Sequence, residues 1–186
     1  DAGMFHLYTH AFFKALLFLC AGAVIYSCHH EQNIWKMGGL FRKMPITSLA
    51  FAVGTAALIA IPFSSGFWSK EHILEQAHSA DHVARHDMVY WIGIGVAFLT
   101  PFYMTRLFIV AFLGRSRTEE ADHAREVKPV MFVPLIVLAA ASLISVYGGI
   151  PEFFKAREHS MRLRDFHMTP TAIASMIALF AGVVLA

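Results

Sequence analysis

The chain has 186 residues, 57% of them hydrophobic and 15% charged, with a formal net charge of +2. Soluble domains run at about 45–50% apolar and about 25% charged, and several helices this apolar would need a core larger than a chain of this length can surround. The composition therefore points to a membrane protein, and the net charge is too small to argue for a nucleic-acid partner.

Apolar stretches able to cross a hydrocarbon core of about 30 Å, which takes about 20 helical residues, recur at 4–25, 46–63, 88–113, 130–150 and 171–186. The pattern predicts an all-α integral membrane bundle of about five transmembrane helices. Residues 1–186 form a single transmembrane domain, with spans at 4–25, 46–76 (broken), 88–113, 130–150 and 171–186. Asp1 stands where a start methionine would, and apolar runs abut both ends, so the chain is expected to be a fragment of a longer one.

The first stretch has no basic n-region and carries Lys14 at its middle, which reads as an internal span and not a signal peptide. His6, His10 and Lys14 stand at i, i+4 and i+8, one above another on a single helix face. Ionisable residues at membrane depth are costly and usually face the bundle interior, where they mark ion or proton paths. Histidine can accept a proton on one ring nitrogen and release one from the other, and a lysine in an apolar setting can switch between charged and neutral forms. The plainer readings are an interfacial His6 and a snorkelling Lys14, although about eleven residues separate Lys14 from either end of the run. A metal at the histidine pair is not expected, because no third ligand shares that face.

The polar stretch 27–45 holds Lys36, Arg42 and Lys43 and can turn at Gly38–Gly39. Its Lys/Arg content, like that of 114–129, places both loops on the cytoplasmic side, although the basic loop 151–170 spoils the alternation. Cys20 and Cys28 match no paired-motif spacing and read as small buried hydrophobes.

The second stretch runs into Pro62, Ser64, Ser65 and Gly66. As one straight helix, 46–76 would reach roughly 46 Å, longer than the hydrocarbon core, so a helix broken near Pro62–Gly66 fits better. Irregular backbone at membrane depth survives only where it is buried in protein or lines a water-filled cavity. Lys70, Glu71 and His72 follow this break. The plainer reading is a charged helix end; Glu71, about 100° round from Lys70, would face a different partner. Arg106 reads as structural, and His29–His30–Glu31 and 81–87 read as solvated loops. No phosphate loop, cysteine cluster or nucleophile–base pair is visible, so nicotinamide, flavin and iron–sulfur centres are not expected in this chain.

The strings FHLYTHAFFKALLFLCAGAVI, HHEQNIWKMGGLFRKMP and IPFSSGFWSKEHIL closely resemble the large antiporter-like membrane subunits of respiratory complex I, called L in bacteria and chain 5 in mitochondria. The resemblance is strong over residues 1 to about 114 and rests on hydropathy beyond. It implies a piece of an antiporter-like inverted-repeat fold, the C-terminal half without its lateral helix, in which His6, His10 and Lys14 match proton-relay positions and Lys70 the lysine of a discontinuous helix. Glu71 stands where related chains often carry Asp. The implied function is proton translocation along a Lys/His/water path, as a subunit of an NADH:quinone oxidoreductase that reduces quinone elsewhere. The partners would be other membrane subunits of complex I, the lipid bilayer, protons and internal water. The location would be the bacterial inner (plasma) membrane, multi-pass, or the mitochondrial inner membrane in an organelle. The alternative is a subunit of a multi-subunit monovalent cation/proton antiporter, which shares the TH-x-FFK-like helix and the broken helix.

Overall fold

The computed structural model describes residues 2–62, 64–79, 84–145 and 169–186, and every regular element among them is a helix. In order these are α1 (Ala2–Ser27), a 3-10 turn (Ile34–Lys36), α2 (Leu40–Lys43), α3 (Pro45–Leu58), α4 (Ser65–Ser79), α5 (Ala84–Phe112), α6 (Glu119–Asp122), α7 (Pro129–Ile144) and α8 (Pro170–Val184). The all-helical expectation is met. The end of the fourth expected span, 146–150, the loop to residue 168 and the His72 side chain lie outside the described residues.

Two helices, Gly3–Ser27 and Met88–Phe112, are long and apolar enough to cross a membrane by themselves; Pro45–Leu58, Pro129–Ile144 and Pro170–Val184 are apolar but shorter. Phe18, Trp91, Val130, Ile177, Phe180 and Val184 all point outward. So much exposed large apolar surface is foreign to a soluble monomer and suits lipid or neighbouring helices.

α1 packs against α3, α4 and α7, while α5 and α8 form the other extensive pair and α4 touches both groups. Phe13, Leu16, Cys20, Leu40, Met44 and Phe112 are fully buried in the core between them. At Gly182 of α8 an added Cβ would lie 2.5 Å from Phe98 O, so glycine is what lets α8 come this close to α5.

The interruption between α3 and α4 begins earlier than the Pro62–Gly66 cluster suggests. α3 ends at Leu58 in a Schellman motif: Ile61 N–H donates to Ala56 O at 3.1 Å and Ala60 N–H to Ala57 O at 3.2 Å, with Ala60 in the left-handed region at φ 63°. Ser64 Oγ then accepts from Phe67 N–H at 3.3 Å, as an N-capping serine does, and α4 begins. Gly66 lies inside α4 and has a different role from helix breaking. A Cβ there would fall 1.8 Å from Ala57 O, so glycine is required for the two half-helices to meet backbone to backbone.

Candidate functional site

Each helix end leaves backbone groups without intrahelical partners, and the break puts such ends inside the bundle. Lys70, on the second turn of α4, reaches back to α3, where its Nζ donates to Leu58 O at 2.5 Å. Leu58 is the last helical residue of α3. An ammonium at the negative end of a helix dipole is electrostatically favoured. The broken helix thus makes its own lysine site.

On α1 the rings of His6 and His10 lie 5.7 Å apart, centroid to centroid. His6 is half-buried, and its Nδ1 lies 2.9 Å from Ser69 Oγ. Ser69 is fully buried; its hydroxyl is also within 3.2 Å of Thr9 Oγ1 and donates back to Ser65 O at 3.0 Å. This hydroxyl joins the histidine stripe to the helix that carries Lys70, one residue on. Lys14 Nζ sits 5.4 Å from the centre of the Phe18 ring. Among the described residues no direct hydrogen bond joins Lys14 to Lys70. The i, i+4, i+8 spacing therefore holds its three residues on one helix, and of the three His6 is the one hydrogen-bonded to α4 among the described residues.

Glu71 turns away from this group toward α8. Its Oε1 accepts from Thr169 Oγ1 at 3.0 Å and Thr171 Oγ1 at 2.6 Å, and its Oε2 from Ser175 Oγ at 3.2 Å. Thr169 also caps α8, its Oγ1 accepting from Ala172 N–H at 3.2 Å, so the carboxylate lies at the positive end of that helix. Lys70 and Glu71 both line one cavity of about 20 Å³, together with Ile59, Ala60, Ala97 and Ser175. That volume is enough for about one water centre. Among the described residues no three His, Cys, Asp or Glu side chains converge as a metal site.

Four hydroxyl residues that complete this arrangement, Ser69, Thr169, Thr171 and Ser175, escape a search for ionisable groups. The Thr-Pro-Thr run at 169–171, a helix-start signal ahead of the last apolar stretch, marks two of them.

Residues 1–100 match the family model described as NADH:quinone oxidoreductase/Mrp antiporter, TM. The chain is 55% identical, over 98% of its length, to NADH-quinone oxidoreductase subunit L of Pseudomonas aeruginosa, and 42% identical, over 100% of its length, to the protein of that name from Escherichia coli K12. It is 44% identical over 77% of its length to NADH-ubiquinone oxidoreductase chain 5 of Phytophthora infestans. It spans 30%, 29% and 22% of the length of those three relatives.

Proposed function

We propose a proton-translocating role for this chain, which belongs to the family of antiporter-like membrane subunits that includes NADH-quinone oxidoreductase subunit L and NADH-ubiquinone oxidoreductase chain 5. Its site is a proton path with two faces meeting at the broken helix. The observation that carries this reading is the Lys70 ammonium on the orphan carbonyl of Leu58, flanked by the His6–Ser69 bond on one side and the Glu71 cradle on the other.

A proton enters on the α1 side and moves by water past Lys14, His10 and His6. Histidine passes protons between its two nitrogens, and a hydroxyl both donates and accepts, so His6 and Ser69 form a continuous pair leading to the α4 helix. Lys70 and Glu71 face one water-sized cavity, through which the proton crosses to the α8 hydroxyls and leaves near the break. Charge changes elsewhere in the assembly alternate the lysines between charged and neutral forms and so set direction. The chain works in the inner membrane, bacterial or mitochondrial, beside other membrane subunits of complex I. NADH oxidation and quinone reduction take place on partners, and this chain supplies no redox group.

The family description also names Mrp antiporters, and a subunit of a multi-subunit cation/proton antiporter is the second reading; the 55% and 42% identities to subunit L proteins favour the first. The test measures proton pumping beside NADH oxidation in membranes carrying Lys14→Ala or Lys70→Ala in the full-length subunit. Pumping falls in both while NADH oxidation by the assembled complex remains measurable; normal pumping in both variants rules the path out. Copurification with NADH-oxidising, iron–sulfur partners separates the first reading from the second.

A further inference from the structure

The other end of α3 carries a group that the proton path does not use. Pro45, the first residue of α3, has no N–H to satisfy, and the N-cap Met44 offers no side-chain oxygen. The next two amides are taken by a residue about eighty positions away: Glu126 Oε2 accepts from Ile46 N–H at 2.7 Å and from Thr47 N–H at 3.3 Å. Its Oε1 accepts from Thr47 Oγ1 at 2.6 Å. Ser48 N–H already bonds Met44 O at 2.8 Å, so the amino end of α3 is fully satisfied, with a carboxylate lying on its positive pole.

Glu126 is firmly carried. Beside it, Arg125 N–H donates to Ser27 Oγ at 3.0 Å while that hydroxyl donates to Arg125 O at 2.6 Å, tying the segment to the end of α1. Upstream, Lys43 Nζ donates to Ser116 Oγ at 2.8 Å, Ala121 O at 3.0 Å and Asp122 Oδ1 at 2.6 Å, tying it to α2. A rod of 14 residues, about 21 Å long, therefore has an anion fixed at its positive end by a loop and the Lys70 cation on its negative end inside the bundle.

We infer that Glu126 is a positioning residue for Lys70: through α3 it holds the Leu58 carbonyl against the Lys70 ammonium, which links the 114–128 loop to the intramembrane lysine. A shift of that loop, such as a neighbouring subunit pressing on it would cause, moves the carbonyl that holds Lys70. This inference rests on the proposed role of Lys70, and its test keeps the two separable.

Glu126→Gln, Glu126→Asp and Glu126→Ala are placed in the full-length subunit of the whole complex, with Lys70→Ala beside them. Proton pumping, NADH oxidation and the amount of assembled complex are measured for each. Gln keeps an acceptor for the two amides but removes the charge; Asp keeps the charge. Glu126→Gln is expected to lower pumping per assembled complex roughly two- to five-fold, the size of one carboxylate–helix-dipole interaction, with Glu126→Asp restoring part of it and Glu126→Ala at or below Gln. A purely structural cap would lower assembly in Ala and leave pumping per assembled complex unchanged in all three, which overturns the inference. Loss in Lys70→Ala with wild-type pumping in Glu126→Gln overturns it too and leaves the proton path standing; wild-type pumping in Lys70→Ala removes the reading beneath both.

Discussion

Two carboxylates lie at the amino ends of two short helices, and their partners differ in kind. Glu126, at the start of α3, is bound by three backbone N–H groups, those of Ile46, Thr47 and Val127, and one threonine hydroxyl. Glu71, carried on α4 and lying at the start of α8, is bound by three side-chain hydroxyls. A backbone N–H can only donate and points where the helix axis points, whereas a hydroxyl turns about its bond and can donate and accept at once. The first arrangement is an anchor. The second can hand a proton onward, because each hydroxyl that gives its hydrogen to Glu71 keeps lone pairs for another donor. Thr169 and Thr171, their oxygens 2.8 Å apart, offer such a link: Thr169 can turn its one hydrogen from Glu71 Oε1 to Thr171 Oγ1 while Thr171 keeps its own on the carboxylate.

The sharpest way to break this contrast is to neutralise each carboxylate without changing its shape. Glu71→Gln in the full-length subunit should lower pumping by about a hundred-fold, the scale on which loss of a proton-transferring side chain is felt. NADH oxidation measured in parallel reports whether the complex is assembled. A Glu71→Gln variant that pumps as well as Glu126→Gln would make the two sites equivalent and end the distinction between anchor and relay.

Next in size is Thr171→Val, which keeps the side-chain shape and removes the shortest of the three bonds to Glu71. A hydrogen bond to a charged group contributes about 1.5–3 kcal/mol, so a roughly ten-fold fall in pumping is expected, with assembly retained. Wild-type pumping would mean that Thr169 and Ser175 suffice and that the cradle has no dedicated exit.

How much of this was legible in the sequence follows the same divide. Hydropathy located the helices, and spacing placed His6, His10 and Lys14 on one face, because both depend only on local periodicity. The discontinuity in 46–76 was legible from length, but its position was not. Proline and glycine drew attention to residues 62–66, while the chain leaves the helix at Ala60, a residue with no turn preference, under a Schellman motif visible only in three dimensions. Gly66 reads in the sequence as a breaker and proves to be a close-contact residue, since its constraint is the backbone of Ala57 and not its own flexibility. The hydroxyls around Glu71 and the carboxylate at α3 are not legible in the sequence for one reason. Their partners lie about 80 to 100 positions away, and serine, threonine and a loop glutamate are unremarkable until a distant helix end is brought to them.

A smaller effect is expected at the anchor when its hydroxyl is removed. Thr47→Val leaves Glu126 with the Ile46, Thr47 and Val127 amides, so the charge remains on the helix pole. The lost bond, also one to a charged group, should cost about 1.5–3 kcal/mol of stability, read as a lower thermal midpoint of the purified complex, with pumping per assembled complex near wild type. Set beside Thr171→Val, this is the direct comparison: one hydroxyl removed from each carboxylate, stability affected at one site and transport at the other.

The smallest effect belongs to Asp122, which shares the loop with Glu126 but stays in solvent, its side chain 68% exposed. The hydrogen bond from Lys43, and then the charge of that ammonium, pull its carboxyl below the ordinary carboxylate range. A depressed folded-state value means that the contribution is present above the unfolded carboxyl's pKa, about 3.9, and is lost as pH falls through the lower folded value. Asp122→Asn should therefore match wild type in pumping at neutral pH, change the thermal midpoint only slightly there, and become indistinguishable from wild type in acid, where Asp122 is itself neutral. Lys43 would still hold Ser116 Oγ and Ala121 O, so the loop stays in place without this carboxylate. If Asp122→Asn instead lowered pumping as Glu126→Gln is expected to, α3 would be responding to the general charge of the loop, and the specific claim for a carboxylate on the pole of α3 would fail.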